Sequence, residues 1–147
     1  PELANDRMQP YRECLTAAGL PVEEELIVRC GPTIEDGYRA TFRLLELPRR
    51  PTAIIVVNDL LAIGAMRAIS EAGLRIPADI SLLSFDDIPM AKYLVPSLTT
   101  VSKDINSLGR AAVKLLLARI KQPERPLHSE QRPARLIIRE STGPAPF

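Results

Sequence analysis

The chain has 147 residues, of which 46% are hydrophobic, and its 19 basic and 18 acidic side chains leave a net charge of +1. This length and composition predict one globular domain with a real core and argue against a disordered chain. The balanced charge argues against a chain-wide basic surface for nucleic acid. No apolar run approaches the ~18 residues of a membrane span, and no charged-then-apolar leader opens the sequence, so we expect neither a membrane segment nor a signal peptide.

The first half of the chain alternates predicted helices and strands. Apolar residues at helical spacing predict the helices, and short β-rich runs predict the strands. Thr33 and Asn58 precede two of the helices and are suitable caps. The predicted elements are a helix from Met8 to Gly19, a strand from Glu25 to Cys30, a helix from Ile34 to Leu47, a strand from Ala53 to Val57 and a helix from Asp59 to Ala72.

The second half continues the same alternation. Two strands are predicted, Ile80 to Phe85 and Leu98 to Ser102, and Asp104 can cap a long helix that ends near Lys121. A polar loop over 122–133, a last strand from Ala134 to Glu140 and a tail over 143–147 follow. Strands that alternate with helices of this length predict an α/β fold, with a mostly parallel sheet and helices on both faces.

Polar side chains follow the predicted strands. They are Gly31-Pro32-Thr33, Asn58-Asp59, Asp86-Asp87 and Lys103-Asp104. Because the carboxyl ends of parallel strands meet at one edge of a sheet, and ligands of open α/β sheets bind there, these turns predict a small-molecule site.

Each of these side chains also has a purely structural interpretation. Capping accounts for one residue of the Asn58-Asp59 pair. Successive strand residues point to opposite faces, so we assign a ligand role to Asp86 and a turn role to Asp87. Lys103 and Arg7 are, by spacing alone, ordinary surface side chains.

Residues for catalysis or metal binding are sparse. The one histidine, His128, lies in the polar loop without Cys or carboxylate neighbours at metal-ligand spacing, which leaves no Ser or Cys triad and no metal site. The paired aspartates leave a magnesium-dependent phosphotransfer or hydrolase domain as the enzymatic alternative. Two cysteines cannot form a disulfide framework, so we expect Cys14 and Cys30 to be buried free thiols of a reducing compartment rather than a disulfide.

A series of motifs resembles the effector-binding core of the LacI/GalR family of bacterial transcription regulators. They are "VNDLLAIGAMRA", "GLRIPADIS", "FDDIP", "PSLTTV", "LGRAAVKLLL" and "LIIREST", and the similarity extends from about Arg7 to Thr142. The resemblance implies the C-terminal lobe of a periplasmic-binding-protein-like (type I) fold over residues 1–142, with an effector in an interlobe cleft. It implies no cofactor, no enzymatic activity and a cytoplasmic protein.

The resemblance also implies individual ligand residues. The family's cleft arginine falls on Arg7, its cleft asparagine on Asn58 and its ligand-binding aspartate on Asp86, and Lys103 completes the candidate set. The aromatic residue that often stacks on the effector falls near Pro32, which is a departure from the family pattern. Ser84 and Pro10 stand where the family commonly has glycine, and neither change removes a polar ligand group.

The resemblance further implies how the intact regulator is organised. It implies homodimers and an N-terminal helix-turn-helix domain that reads DNA, and we expect this domain and most of the N-terminal lobe to be absent from the chain. The helix over 104–121 is expected to belong to the N-lobe or the dimer interface. The family's effector is a small polar molecule such as a sugar or related metabolite. The alternative with the same fold is a sugar-binding protein of an uptake system.

Overall fold

The computed structural model describes residues 2–124, 126 and 128–146, and of residues 2–6 only the helical backbone. Residues 125 and 127 of the predicted loop and residue 147 of the predicted tail lie outside the described residues. The helices are α1 Glu2–Ala17, α2 Ile34–Leu45, α3 Asp59–Glu71 and α4 Ile105–Lys121, and the strands are β1 Ala53–Ile55, β2 Ser81–Asp86, β3 Thr99–Ser102 and β4 Arg135–Ile137.

The strands form one sheet in the order β1-β2-β3-β4. β1, β2 and β3 run parallel, and β4 is antiparallel to β3. The predicted α/β class with a mostly parallel sheet is therefore confirmed. The register pairs Asp86, the last residue of β2, with Ser102, the last residue of β3, so both parallel strands end at the same level.

The core lies where α3 packs on the sheet. Ile54, Leu82 and Ile80 from the strand segments meet Ala65 and Ile69 of α3. Small residues on α3 let its backbone come close to α2, and a side chain on Gly64 would overlap the backbone carbonyl of Ile34. The same constraint holds at Gly37, whose missing side chain makes room for the backbone of Leu61. The two helices therefore pack at a distance that only glycine allows at these positions.

One predicted strand is wrong. The segment Glu25 to Cys30 begins within a 3₁₀ turn, Glu24–Leu26, and residues 27–30 pair with no strand of the sheet in the described part of the chain. Ile27 is extended, but a strand also needs a backbone partner, and here Val28 instead packs its side chain against the core. The β-rich composition correctly indicated an extended apolar segment, but this segment does not hydrogen-bond to a neighbouring strand.

The two cysteines are also placed differently from the prediction. Both Cys14 and Cys30 are free, and both are exposed rather than buried. Cys14 lies on a solvent-facing part of α1, and Cys30 lies in the unpaired segment that was expected to be a strand. The wrong strand assignment and the wrong burial of Cys30 therefore share one cause.

Ser141 joins β2 to β3 where the two strands begin. Its side chain is fully buried, its hydroxyl donates to the Leu82 carbonyl at 2.6 Å, and it accepts from the Thr99 amide at 2.8 Å. Its own carbonyl accepts from the Leu82 amide at 2.7 Å. The segment that follows β4 thus completes the hydrogen bonding of the sheet at the end opposite to the predicted site.

α4 is largely uncovered. Asp104 caps it as predicted, and Ala111 is its only buried residue. Six of its large apolar side chains are exposed to solvent, namely Ile105, Leu108, Val113, Leu116, Leu117 and Ile120. A patch of this extent on a helix is typical of a surface that another protein element covers.

The close approach of α2 and α3 gives a prediction about stability. Gly64→Ala should lower the free energy of unfolding by ~1–3 kcal/mol, because the new methyl group overlaps backbone that cannot rotate away. Gly109→Ala is the matched control: it lies in α4 with open space around it, and should be neutral or stabilising by ~0.4–1 kcal/mol. Urea denaturation of both variants checks this, and equal midpoints for the two would contradict it.

Candidate functional site

The candidate site lies at the carboxyl ends of β1, β2 and β3. Asn58 follows β1, Asp86 ends β2, and Lys103 follows β3. Arg7 reaches the same edge from α1. These four sequence-predicted residues therefore lie at one end of the sheet.

Arg7 connects the ends of β1 and β2. Its Nη1 donates to the Val57 carbonyl at 2.6 Å, next to Asn58, and its guanidinium carbon lies 4.2 Å from the centre of the Phe85 ring, next to Asp86. An arginine over an aromatic face is stabilised by the ring's quadrupole. Arg7 is thus a half-buried, oriented side chain rather than the ordinary surface arginine that its spacing alone indicates.

Asn58 serves as the cap of α3. Its Oδ1 accepts from the Leu61 amide at 2.8 Å, and its Nδ2 lies 3.5 Å from the Pro32 carbonyl. Pro32 is exposed, and Thr33 beside it forms a capping box with Asp36 at the start of α2. Hydrogen bonds from the Thr33 side chain and backbone lower the pKa of Asp36. The cap uses the acceptor of Asn58 and the long bond to Pro32 uses one of its amide hydrogens, which leaves the second amide hydrogen as the group that can face a ligand.

Asp86 forms a loose ion pair at the end of β2. Its Oδ1 lies 3.7 Å from Lys103 Nζ, and the two side chains keep 37% and 45% of their surface exposed. An exposed pair of this kind contributes about 0–1 kcal/mol, so a ligand can replace it at little cost.

Asp87 turns away from Asp86 and binds the C-terminal strand segment. Its Oδ1 accepts from Arg139 Nη2 at 2.7 Å, and Arg139 Nη1 donates to the Leu98 carbonyl at 2.8 Å. Both partners of this pair are more buried than the Asp86–Lys103 pair, with 18% and 23% of their side chains exposed. Asp87 thus contacts a neighbouring side chain, in agreement with the structural role expected for it.

The backbone at the two aspartates is unusual. Asp86 has φ 109° and Asp87 has φ 56°, the only non-glycine residues with positive φ among the described residues. Conformations of this kind cost about 1–3 kcal/mol each for side-chain-bearing residues and persist only where the surroundings impose them.

The role of Asp59 was not predicted from the sequence. This carboxylate is 1% exposed; its Oδ1 accepts from the hydroxyls of Ser84 and Thr100, and its Oδ2 accepts from the Ile88 amide at 2.7 Å. It therefore connects α3, β2, β3 and the turn that follows β2. One signal was present in the sequence. If Asn58 caps the helix, the polar residue beside it needs another partner, and Ser84 and Thr100 lie in strands predicted to be buried, where their hydroxyls also need partners.

No cluster of three or more His, Cys, Asp or Glu side chains is suitable for a metal ion within residues 2–124, 126 and 128–146. His128 is exposed. No helix in the same described residues has the length and apolar character to cross a membrane.

A mostly parallel sheet with donors and acceptors at its carboxyl edge is the arrangement in which open α/β domains commonly bind small molecules. Residues 1–142 match the periplasmic binding protein-like domain, and the chain belongs to that family. The HTH-type transcriptional repressor PurR of Escherichia coli O139:H28 is 39% identical over 142 residues, which are 96% of this chain and 41% of the repressor. The chain thus spans about two fifths of the curated relatives it matches.

Solved structures of LacI-family regulators are similar to this chain over 95% or more of its length in two examples. A LacI family regulator from Enterococcus faecium with bound ribose is 34% identical, with a TM-score of 0.90, and the match covers 100% of this chain and 53% of that one. A LacI-family regulatory protein from Chloroflexus aggregans is 43% identical, with a TM-score of 0.86, over 95% of this chain and 50% of that one. The resemblance to LacI-family regulators drawn from the motifs is confirmed.

The ion pairs of the two aspartates predict how the protein responds to magnesium. Millimolar Mg²⁺ should leave the melting temperature unchanged, because Asp86 and Asp87 each face a basic side chain and diverge from one another. Thermal melts with MgCl₂ and with NaCl at matched ionic strength check this. A rise specific to Mg²⁺ would indicate a bound ion, by linkage, and would support the phosphotransfer alternative.

Proposed function

We propose that this chain is the effector-sensing lobe of a LacI-type transcription regulator and that it is not an enzyme. In this proposal it binds a small polar molecule, a sugar or a related metabolite, in a cleft between two lobes. The carrying observation is the convergence of Arg7, Asn58, Asp86 and Lys103 at one edge of the sheet. The ribose-bound Enterococcus faecium regulator supports the choice of a sugar.

The chemistry of the site suits a ligand with several hydroxyl groups. The carboxylate of Asp86 can accept two hydrogen bonds, while Arg7, Lys103 and the NH2 group of Asn58 can only donate. A hydroxyl both donates and accepts, so a polyol can satisfy all four side chains. Pro32 offers no aromatic face, which argues against a ligand that depends on ring stacking at that position.

The proposed mechanism is a shift between two populations. An effector that binds the closed cleft more tightly than the open one biases the regulator toward one of two DNA-binding states, with a coupling of about 1–3 kcal/mol. In this proposal a helix-turn-helix domain outside this chain contacts the DNA. The chain itself has a net charge of only +1, which argues against a chain-wide basic surface for DNA. The proposal therefore places the working protein in the cytoplasm.

The uncovered face of α4 fits a lobe of a larger protein. We propose that the second lobe or a partner chain of a homodimer covers it in the intact regulator. Burying a large aliphatic side chain contributes about 1.5–3 kcal/mol, and six such side chains are exposed on this helix.

The uptake-protein alternative shares the fold, and the curated relatives do not favour it, because they are named as repressors. The residues upstream of residue 1 discriminate between the two functions. A helix-turn-helix there supports the regulator, and a secretion signal supports the uptake protein.

Two matched variants test the assignment of the aspartates. In the full-length protein, Asp86→Asn should keep the melting temperature and weaken the effector response by about 1.5–3 kcal/mol, because a charge-assisted hydrogen bond to the ligand is lost. Asp87→Asn should lower the melting temperature, because it removes the charge that pairs with Arg139, and should leave the effector response near wild type.

The measurement is the effector concentration at half response in operator binding, alongside a thermal melt. If Asp87→Asn abolishes the effector response and Asp86→Asn changes only stability, the two roles are reversed.

A further inference from the structure

We propose that Asp59 is a positioning residue of the effector site: it holds the turn from Asp86 to Ile88 in the conformation that presents Asp86 to the ligand. The claim that the turn presents Asp86 to a ligand rests on the proposed function. The claim that Asp59 restrains the turn rests only on the contacts of Asp59. None of these contacts is needed to cap α3, because Asn58 performs that task.

Asp59 reaches the turn through two routes. Directly, its Oδ2 accepts from the Ile88 amide at 2.7 Å. Indirectly, its Oδ1 accepts from Thr100 Oγ1 at 2.8 Å, and the same Oγ1 accepts from the Asp87 amide at 3.3 Å. Two consecutive amides after Asp86 are therefore held by one buried carboxylate.

The turn needs such restraint because its backbone is strained. Asp86 and Asp87 both have positive φ, a region that residues with a side chain rarely occupy. A strained segment relaxes unless its surroundings over-determine it. Arg139 restrains the side chain of Asp87. In the described residues, the acceptors for the turn's backbone amides are instead the side chains of Asp59 and Thr100.

The burial of Asp59 supports a fixed position for its carboxylate. A buried carboxylate needs hydrogen-bond donors in place of water, and Asp59 accepts three hydrogen bonds, from Ser84, Thr100 and Ile88. Ser84 stands where the resembling family commonly has glycine, and its hydroxyl fixes the orientation of the carboxylate. Any rotation of Asp59 would break one of the three bonds.

Two variants interrupt the two routes separately. Asp59→Asn removes the charge and one acceptor at constant size and weakens both routes. Thr100→Val is nearly isosteric and severs the route to the Asp87 amide, while Asp59 keeps its hydrogen bonds from Ser84 and Ile88. Ser141→Ala is the matched control, because it also removes a fully buried hydroxyl with two hydrogen bonds, but at the opposite end of the strands.

Amide hydrogen exchange of the full-length protein measures the restraint without any ligand. Asp59→Asn should speed exchange of the Ile88 and Asp87 amides by about tenfold or more, the factor for a weakened charge-assisted hydrogen bond. Thr100→Val should speed the Asp87 amide more than the Ile88 amide. Ser141→Ala should instead speed the Thr99 amide. Unchanged Ile88 and Asp87 exchange in Asp59→Asn, or an equal acceleration at all amides, would overturn the proposal.

Ribose titration calorimetry then connects the restraint to binding. Asp59→Asn should weaken ribose binding about tenfold, Ser141→Ala should not, and Asp59→Asn should add little to the loss in Asp86→Asn because the two act through the same group. Additive losses would contradict positioning through Asp86. If wild type does not bind ribose, the proposed ligand fails while the exchange result still decides the role of Asp59.

Discussion

The structure depends most on one buried carboxylate. Asp59 begins α3 and accepts hydrogen bonds from β2, from β3 and from the turn that leaves the sheet after β2. An isolated charge at this depth would be strongly unfavourable, so the four segments must arrive together for the site edge to form. The helix end contributes as well, because an acidic side chain in the first turn interacts favourably with the helix dipole. Folding of the core and geometry of the candidate site are thus linked through the same group.

Asp86, the last residue of β2, and Asp87, the residue after it, have different roles in the site. Asp87 binds Arg139 in a half-buried pair that ties the turn to the C-terminal segment, and Asp86 keeps a loose contact with Lys103. A tight pair suits structure, and a loose pair that water already reaches suits a ligand, because less is lost when the ligand replaces it. The strain of about 1–3 kcal/mol at each residue is comparable to one charge-assisted hydrogen bond, so the hydrogen bonds that Asp59 and Thr100 accept from the turn's amides are large enough to offset it.

Much of the fold follows from local sequence patterns, and the failures have a common cause. Helices α2, α3 and α4 were predicted to within a few residues because periodicity and the caps Thr33, Asn58 and Asp104 are local signals. The predicted strand from Glu25 to Cys30 was wrong because a strand requires a partner strand, which amino-acid composition does not reveal. Asp59 was missed for the same reason: its hydroxyl partners Ser84 and Thr100 lie 25 and 41 residues away in sequence. Positions after predicted strands indicated Asn58, Asp86 and Lys103, and the family resemblance added Arg7 and the position of Pro32. The contacts of these side chains came only from the structure.

The central claim is that Asp86, presented by the turn that Asp59 holds, is the acceptor that a ligand meets. The most direct measurement is a crystal structure of the intact protein with the effector that a melting-shift screen of sugars selects. The account predicts a ligand hydroxyl within about 3 Å of the Asp86 carboxylate, with Asp59 still bound to the Ile88 amide. A ligand held by Asp87, or one bound away from the carboxyl ends of β1, β2 and β3, would contradict it.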